Sequence, residues 1–470
     1  MRGSIPLMRA RARLSLLSIV AFSACMDATA SVSVPTPPAL RSVEVDSVTI
    51  GARLRVSVAA AALVRVTYSA GPDEPTLQME RALTSEDGAV VLERLLHGRT
   101  YGFSARAVSA SGVEGPATAG SFTTPPLPDD LASEQFEAIG SPSESLLMLD
   151  LIGKSGFTGF AAVDDRGQVV WYWRTVGPPQ GWTRRANGNF VLNDLGNGLR
   201  EISPNGDLVR RLDFDYFGPT PHHDLIATPQ NTILFISQDF RTPAGSPTIW
   251  GDAIYEWTPE SSALVKRWTA WDWFNPATDW SDVSTPLDWL HANSLALGPH
   301  GNILLSLNWL SQVVSIAPDW SHLEWRLGGN GSSFAIDSAA AFSGQHSVTM
   351  PLEGHVLMFD NGRERADGAQ NSRALELVLD TVARTATKYW SFEPVVRAWA
   401  PYVGLARRLT NGNTTVFFGL PSGYRGATGP VASYEVQPDA TVRWSLIIGN
   451  VTSVYRGVPM TSIAGETVVR

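Results

Sequence analysis

The sequence predicts an all-β protein, a six-bladed β-propeller preceded by a small β-sandwich, and three observations carry that prediction. After residue 130 one motif returns six times: a small-residue turn, two strands, a second turn, and a strand closing on tryptophan. Between residues 39 and 124 short runs alternate apolar and polar side chains, as in Leu54-Arg55-Val56-Ser57-Val58 and Val64-Arg65-Val66-Thr67-Tyr68. The 470 residues include 41 Gly and 31 Pro without a three-residue period, which excludes collagen and suits a chain of many tight turns. At 44% hydrophobic and 17% charged, the chain has the apolar content to fill a core and is not intrinsically disordered.

From the amino end, Arg2, Arg9, Arg11 and Arg13 precede an apolar run over 14–24, too short to span a bilayer and laid out as a secretory signal. Phe22-Ser23-Ala24-Cys25 resembles a bacterial lipobox with Phe22 where Leu is usual. The only cysteine falls at the cleavage point, so Cys25 is the expected lipidation site; a plain signal peptide cleaved nearby is the alternative. Residues 1–25 are thus read as a lipoprotein-type signal peptide and 26–38 as a tether. Export to the periplasm or cell envelope is expected, with the membrane reached only through a lipid anchor. A single cysteine also excludes an internal disulfide.

Residues 39–124 hold about seven strand-like runs. Leu95-Leu96-His97-Gly98-Arg99-Thr100-Tyr101-Gly102-Phe103 resembles the tyrosine corner of a fibronectin type III domain, with Tyr101 bonding back to the chain. Pro125, Pro126 and Pro128 then form a stiff linker. In the propeller segment, 130–470, the closing residues are Trp171, Leu212, Trp268, Trp325, Trp390 and Trp444. Their separations of 41, 56, 57, 65 and 54 residues suit one four-stranded blade each. The turns Asn187-Gly188-Asn189, Gln230-Asn231, Gly301-Asn302, Glu353-Gly354 and Asn411-Gly412-Asn413 mark where second strands begin. A β-helix, the rival, wants a shorter and more regular period.

If the strand before each turn is innermost, the residue that opens it stands at the mouth of the central channel. Counting back ten to twelve residues from Ile233, Ile303 and Val356 reaches His223, His291 and His346. Only eight histidines are present, so three at one structural position are a candidate site, while His97, His300, His322 and His355 fall in predicted turns. Trp182 and Gly404 open two further blades. Histidine serves as nucleophile, acid, base or metal ligand. Three imidazoles suit zinc, but Asp224 is the only acidic neighbour in sequence, so no metal is expected. Asn293 shares a strand face with His291, and its amide can hold an anionic oxygen. A net charge of −9 with no basic stripe argues against a nucleic-acid partner.

His291-Ala292-Asn293-Ser294-Leu295, Trp325-Arg326-Leu327-Gly328-Gly329, Gln345-His346 and Phe359-Asp360-Asn361-Gly362, in that order, resemble the bacterial and fungal arylsulfotransferases. His222-His223-Asp224 and Leu409-Thr410-Asn411-Gly412-Asn413 match as well, and the resemblance spans about residues 140–465. It implies a six-bladed propeller that moves a sulfuryl group from a phenolic sulfate ester to a phenol, without a nucleotide donor or other cofactor. His346 would be the nucleophile; His291 and Asn293 would bind sulfate oxygens and His223 would assist, in preference to His222. Trp289, Trp309 and Trp182 could stack on the aromatic partners.

One departure bears on activity. Where the family commonly carries Ser-Arg-His, this chain reads Ser306-Leu307-Asn308-Trp309, so Asn308 replaces an arginine; one lost donor of this kind costs on the order of 3 kcal/mol. Arg326, Arg407 and Arg408 are candidate replacements. Two rival readings stay open: a non-catalytic propeller binding aromatic or sulfated ligands or a partner protein, and a metal-dependent hydrolase or lyase. Loop lengths leave donor, acceptor and oligomeric state open.

Overall fold

The computed structural model describes residues 37–48, 51–59, 63–213, 218–242, 247–279, 288–365, 368–465 and 468–469. The signal-like segment with Cys25, and the tether up to residue 36, lie outside the described residues.

Alternation decides the amino-terminal module. Gly51–Val58 and Leu63–Ser69 bury every second residue, so each presents one apolar face. Those faces meet. One sheet joins Leu40–Val48, Gly51–Val58 and Asp87–Leu92; the other joins Leu77–Ala82, Leu63–Ser69, Thr100–Val108 and Thr118–Thr123. Leu54, Val56, Val66, Tyr68, Phe103 and Phe122 fill the space between. The Leu96 amide donates to the Tyr101 hydroxyl at 2.8 Å, the bond expected of a tyrosine corner.

Past the prolines, the described residues form six antiparallel blade sheets, four of four strands and two of five; in every one but the first, four consecutive strands run in sequence order from the inside outward. Their innermost strands touch cyclically: Pro179–Arg184, Thr220–Ala227, Ala292–Leu297, His346–Leu352, Leu405–Arg408 and Val451–Met460. Middle strands such as Phe190–Asp194, Ile303–Leu307 and Thr414–Phe418 are buried along their whole length, because each sheet is covered on both faces by its neighbours. This is a β-propeller. The closing residues Trp171, Leu212, Trp268, Trp325, Trp390 and Trp444 all lie on the fourth strand of their blades, counted from the inside.

The ring closes twice. Val451–Met460 supplies the inner strand of the first blade, beside Leu146–Gly153, while Gln135–Gly140 adds a fifth strand outside the sixth, beside Val442–Gly449. Val468–Val469 then leaves the propeller and pairs with Leu77–Ala82, so the propeller segment 130–470 also contributes to the sandwich. Between the modules the buried Glu93 carboxylate accepts from Ser462 Oγ at 2.8 Å and from the Ile463 and Ala464 amides at 2.6 and 2.5 Å. Burial raises its pKa.

Blades are stitched at their inner strands by side chains that accept backbone N–H groups from the next blade. Asp150 accepts from Gly181, Asp252 from Ala292, Asp224 from Leu295, and Ser294 from Val348, at 2.7 to 3.0 Å. The open ends of these strands are therefore fixed to one another before any substrate arrives.

Candidate active site

Four inner strands enter the ring through a break in their ladder, with a residue of left-handed φ at or beside it: Gly181 (70°), His223 (58°), His291 (55°) and Ser347 (53°); Val403 (56°) precedes a fifth, Leu405–Arg408, whose ladder is regular. Left-handed backbone costs an ordinary residue on the order of 1 kcal/mol, a strain that commonly accompanies functional positions. At Gly181 a Cβ would fall 2.5 Å from the His223 carbonyl oxygen, so only glycine fits there.

The three histidines converge. The His223 and His291 rings meet edge to face at 4.7 Å, and the Tyr455 ring lies 5.8 Å from His223 and 6.4 Å from His346. Tyr455 comes from the strand that closes the ring, which is why counting along consecutive repeats does not find it. Its hydroxyl donates to the Asn293 carbonyl at 3.1 Å, and burial raises its pKa. Next to it Arg456 is buried, with Nη1 on Asp224 Oδ1 at 2.9 Å; burial opposes its charge, but Asp224 outweighs that and holds it ionised.

His346 is almost wholly buried, and its Nδ1 lies 2.8 Å from Asn361 Oδ1. Both protons of the Asn361 amide are spent on the Ala400 and Val403 carbonyls, at 2.6 and 2.8 Å. Oδ1 can therefore only accept, Nδ1 must carry the ring proton, and Nε2 keeps its lone pair. Burial pushes the His346 pKa down to about 3, against the opposing pull of Asn361, so the ring is neutral.

His291 has a different neighbour. Its Nδ1 lies 2.5 Å from Asp288 Oδ2, and its side chain is 29% exposed, so the site opens on this side. Burial would raise the Asp288 pKa, but the bond to His291 outweighs it and leaves a carboxylate. His222 stands behind His223: the two Nδ1 atoms are 2.7 Å apart, and His222 Nε2 is 3.2 Å from Asp252 Oδ1. His222 thus sits between His223 and Asp252, in a supporting position. Burial, then the neighbouring imidazoles, hold His223 neutral far below the usual histidine range.

The asparagines do something other than the sequence suggests. Asn293 Nδ2 donates to the Gln345 carbonyl at 2.8 Å, and Asn308 Nδ2 donates to the Gly344 carbonyl at 2.8 Å. One donor of each thus holds the backbone just before His346. Gln345 completes this fastening, with Nε2 on Ser306 Oγ at 2.9 Å and on the Gln312 carbonyl at 3.0 Å.

Arg326 lies elsewhere, because the outermost strand Leu323–Leu327 carries it to the blade edge. There it bonds Asp279 at 3.0 Å and the Trp273 carbonyl at 2.8 Å, and stacks on Phe274. Arg408 pairs with Glu376. Arg407 and Trp182 line a cavity of 680 Å³ among the inner strands that none of the three imidazoles lines. Trp289 is fully buried and cannot stack on a ligand, whereas Trp309 packs on the His291 ring at 5.0 Å. Of the histidines expected in solvated turns, His355 instead bonds Glu376 at 2.8 Å.

An arginine not singled out in the sequence reaches this neighbourhood. Arg363 follows Asn361 and Gly362, its guanidinium lies 4.3 Å from the Trp309 ring centre and 5.3 Å from that of Tyr402, and Nη2 donates to Asn308 Oδ1 at 3.0 Å. Among the described residues, no group of three His, Cys, Asp or Glu side chains is arranged to hold a metal ion.

A propeller whose inner strands bring neutral and carboxylate-backed imidazoles together holds groups of the kind that nucleophilic and acid–base chemistry use. Residues 143–443 match the family Arylsulfotransferase (ASST), and the chain belongs to that family. No curated protein matches the sequence. Among solved structures, a protein of unknown function from Bacteroides caccae is 14% identical, covering 67% of this chain and 99% of its own, with a TM-score of 0.44. A streptogramin B lyase is 10% identical, covering 74% and 90%, with a TM-score of 0.37. A gluconolactonase from Xanthomonas campestris is 13% identical, covering 66% and 91%, with a TM-score of 0.35.

Proposed function

We propose that this arylsulfotransferase-family protein moves a sulfuryl group from a phenolic sulfate ester to a phenol through a sulfo-His346 intermediate. The observation that carries the reading is the Asn361–His346 bond, which leaves Nε2 with its lone pair on a ring beside Tyr455, in the cluster that holds His223 and His291. Nε2 attacks sulfur as the sulfur–oxygen bond to the aryl group breaks, and the electron pair departs on the phenolate oxygen. His291, its Nδ1 bonded to the Asp288 carboxylate, acts as the acid that gives that oxygen a proton. An acceptor phenol then returns its proton to His291 and attacks sulfur, and the sulfur–nitrogen bond breaks with its pair returning to Nε2. His223, kept neutral between His222 and His291, assists as a polar wall of the site.

Incubation of the purified protein with para-nitrophenyl sulfate and phenol is expected to give phenyl sulfate and nitrophenolate. His346→Asn is expected to abolish both products and the acid-labile label on the protein. Transfer that survives this substitution rejects the mechanism. Tight binding of the ester without turnover by the unaltered protein supports the non-catalytic reading, which the replacement of arginine by Asn308 favours.

The same reading takes the protein to the cell envelope, anchored through Cys25, with the sandwich as a spacer. Cys25→Ser is expected to release the protein from the membrane fraction.

A further inference from the structure

The site described so far lacks a free cation for the three oxygens of a sulfuryl group. Asn293 and Asn308 are uncharged and each gives a donor to the backbone before His346, Arg326 lies at a blade edge, and Arg456 is committed to Asp224 and to the Tyr455 hydroxyl. Arg363 differs from all of these. It has no ion pair with a carboxylate among the described residues; Nη2 donates to the neutral oxygen of Asn308, the Tyr402 side chain also interacts with the guanidinium, and Nε and Nη1 are buried without a hydrogen-bond partner. A guanidinium held this way keeps an unsatisfied charge and two unsatisfied donors next to the reaction centre, a costly arrangement for a purely structural arginine.

Its position is built from both sides of one blade seam. Gly362, with φ of 68° and its amide on the Ser343 carbonyl, turns the chain after Asn361 back toward the neighbouring blade. Gly344 opposite has no side chain, and a Cβ there would fall 3.3 Å from the guanidinium. Trp309 touches both the His291 ring and the guanidinium, so one ring separates Arg363 from the imidazole. Asn308 is thereby a mount: its Nδ2 holds the Gly344 carbonyl, and its Oδ1 holds the arginine.

We infer that Arg363 is the cation that grips the sulfuryl oxygens of the ester, with Asn308 fixing its fork in place. The inference rests on the sulfuryl-transfer reading for its substrate class. A planar fork matches two oxygens of a tetrahedral anion, and its charge is pre-oriented where negative charge spreads in the transition state.

The test measures binding and turnover separately in the full chain. On the His346→Asn background, calorimetry with para-nitrophenyl sulfate is expected to show affinity at least tenfold weaker for Arg363→Gln, about threefold weaker for Arg363→Lys, and largely restored in Asn308→Arg/Arg363→Asn. Thermal unfolding within a few degrees of the parent shows that the variants fold. Equal affinity in a folded Arg363→Gln protein overturns the inference. If para-nitrophenyl sulfate fails to bind the parent protein altogether, both readings fall. If the variants behave as expected while transfer survives without His346, the grip by Arg363 stands and the sulfo-histidine mechanism alone is lost.

Discussion

Asn361 fixes the chemical identity of His346: by accepting from Nδ1 at 2.8 Å while both of its own protons are spent on carbonyls, it decides which ring nitrogen holds the lone pair. A single amide thus does the work that a carboxylate does in other histidine dyads, but without adding charge. That matters here because a carboxylate would favour the imidazolium, which cannot attack sulfur.

Asn361→Ala removes that control. The expected result is a fall in kcat of about 100-fold with donor KM changed much less, because substrate still binds and the imidazole is misdirected. Steady-state kinetics on the folded variant measures it; a matching rise in KM with kcat intact would show that Asn361 serves binding instead.

Protonation of His346 is expected to leave the rate untouched until the pH nears about 3. Folding stability behaves differently. The folded pKa is depressed, so the unfolded chain takes this proton first, and stability present above the ordinary histidine range is lost as the pH falls from there toward 3. His346→Gln is expected to lose less stability than the parent over that interval, read by denaturant unfolding at stepped pH.

Asp288→Asn tests the proton donor. His291 loses the carboxylate that backs it as an acid, so transfer from esters of weakly acidic phenols, which need protonation as they leave, is expected to slow by about 100-fold. Donors with strongly acidic phenols are expected to slow far less. A uniform slowing across leaving groups would assign the carboxylate a merely positional part.

Asp150 offers a stability test away from the chemistry. Burial lifts its pKa to about 7, against the opposing effect of Arg456, while the unfolded side chain titrates near 3.8. Its contribution is therefore fully present below that lower value and is lost as the pH rises toward 7. Asp150→Asn is expected to be more stable than the parent above neutral pH, by about 2 kcal/mol, and to lose that advantage in acid.

Much of this was readable from residues alone. The closing tryptophans give the blades because each outer strand needs a large apolar anchor against its neighbour. His223, His291 and His346 could be aligned because they precede the second strands of their blades by ten to twelve residues. The supporting groups could not be. Asp252 is 30 residues from His222 and on a different strand of the blade, and Tyr455 reaches the cluster only through ring closure. Asn293 and Asn308 show the opposite limit: residue type suggests an anion ligand, but the direction of each amide depends on carbonyls of the next blade.

The closing strand Val451–Met460 also carries Tyr455 and Arg456 into the cluster, so architecture and reactivity share one late-synthesised segment. A ribosome must complete nearly all of the polypeptide before the last wall of the reaction chamber exists. A chain without this strand lacks Tyr455 and Arg456, which ties the completion of the cluster to the closure of the ring.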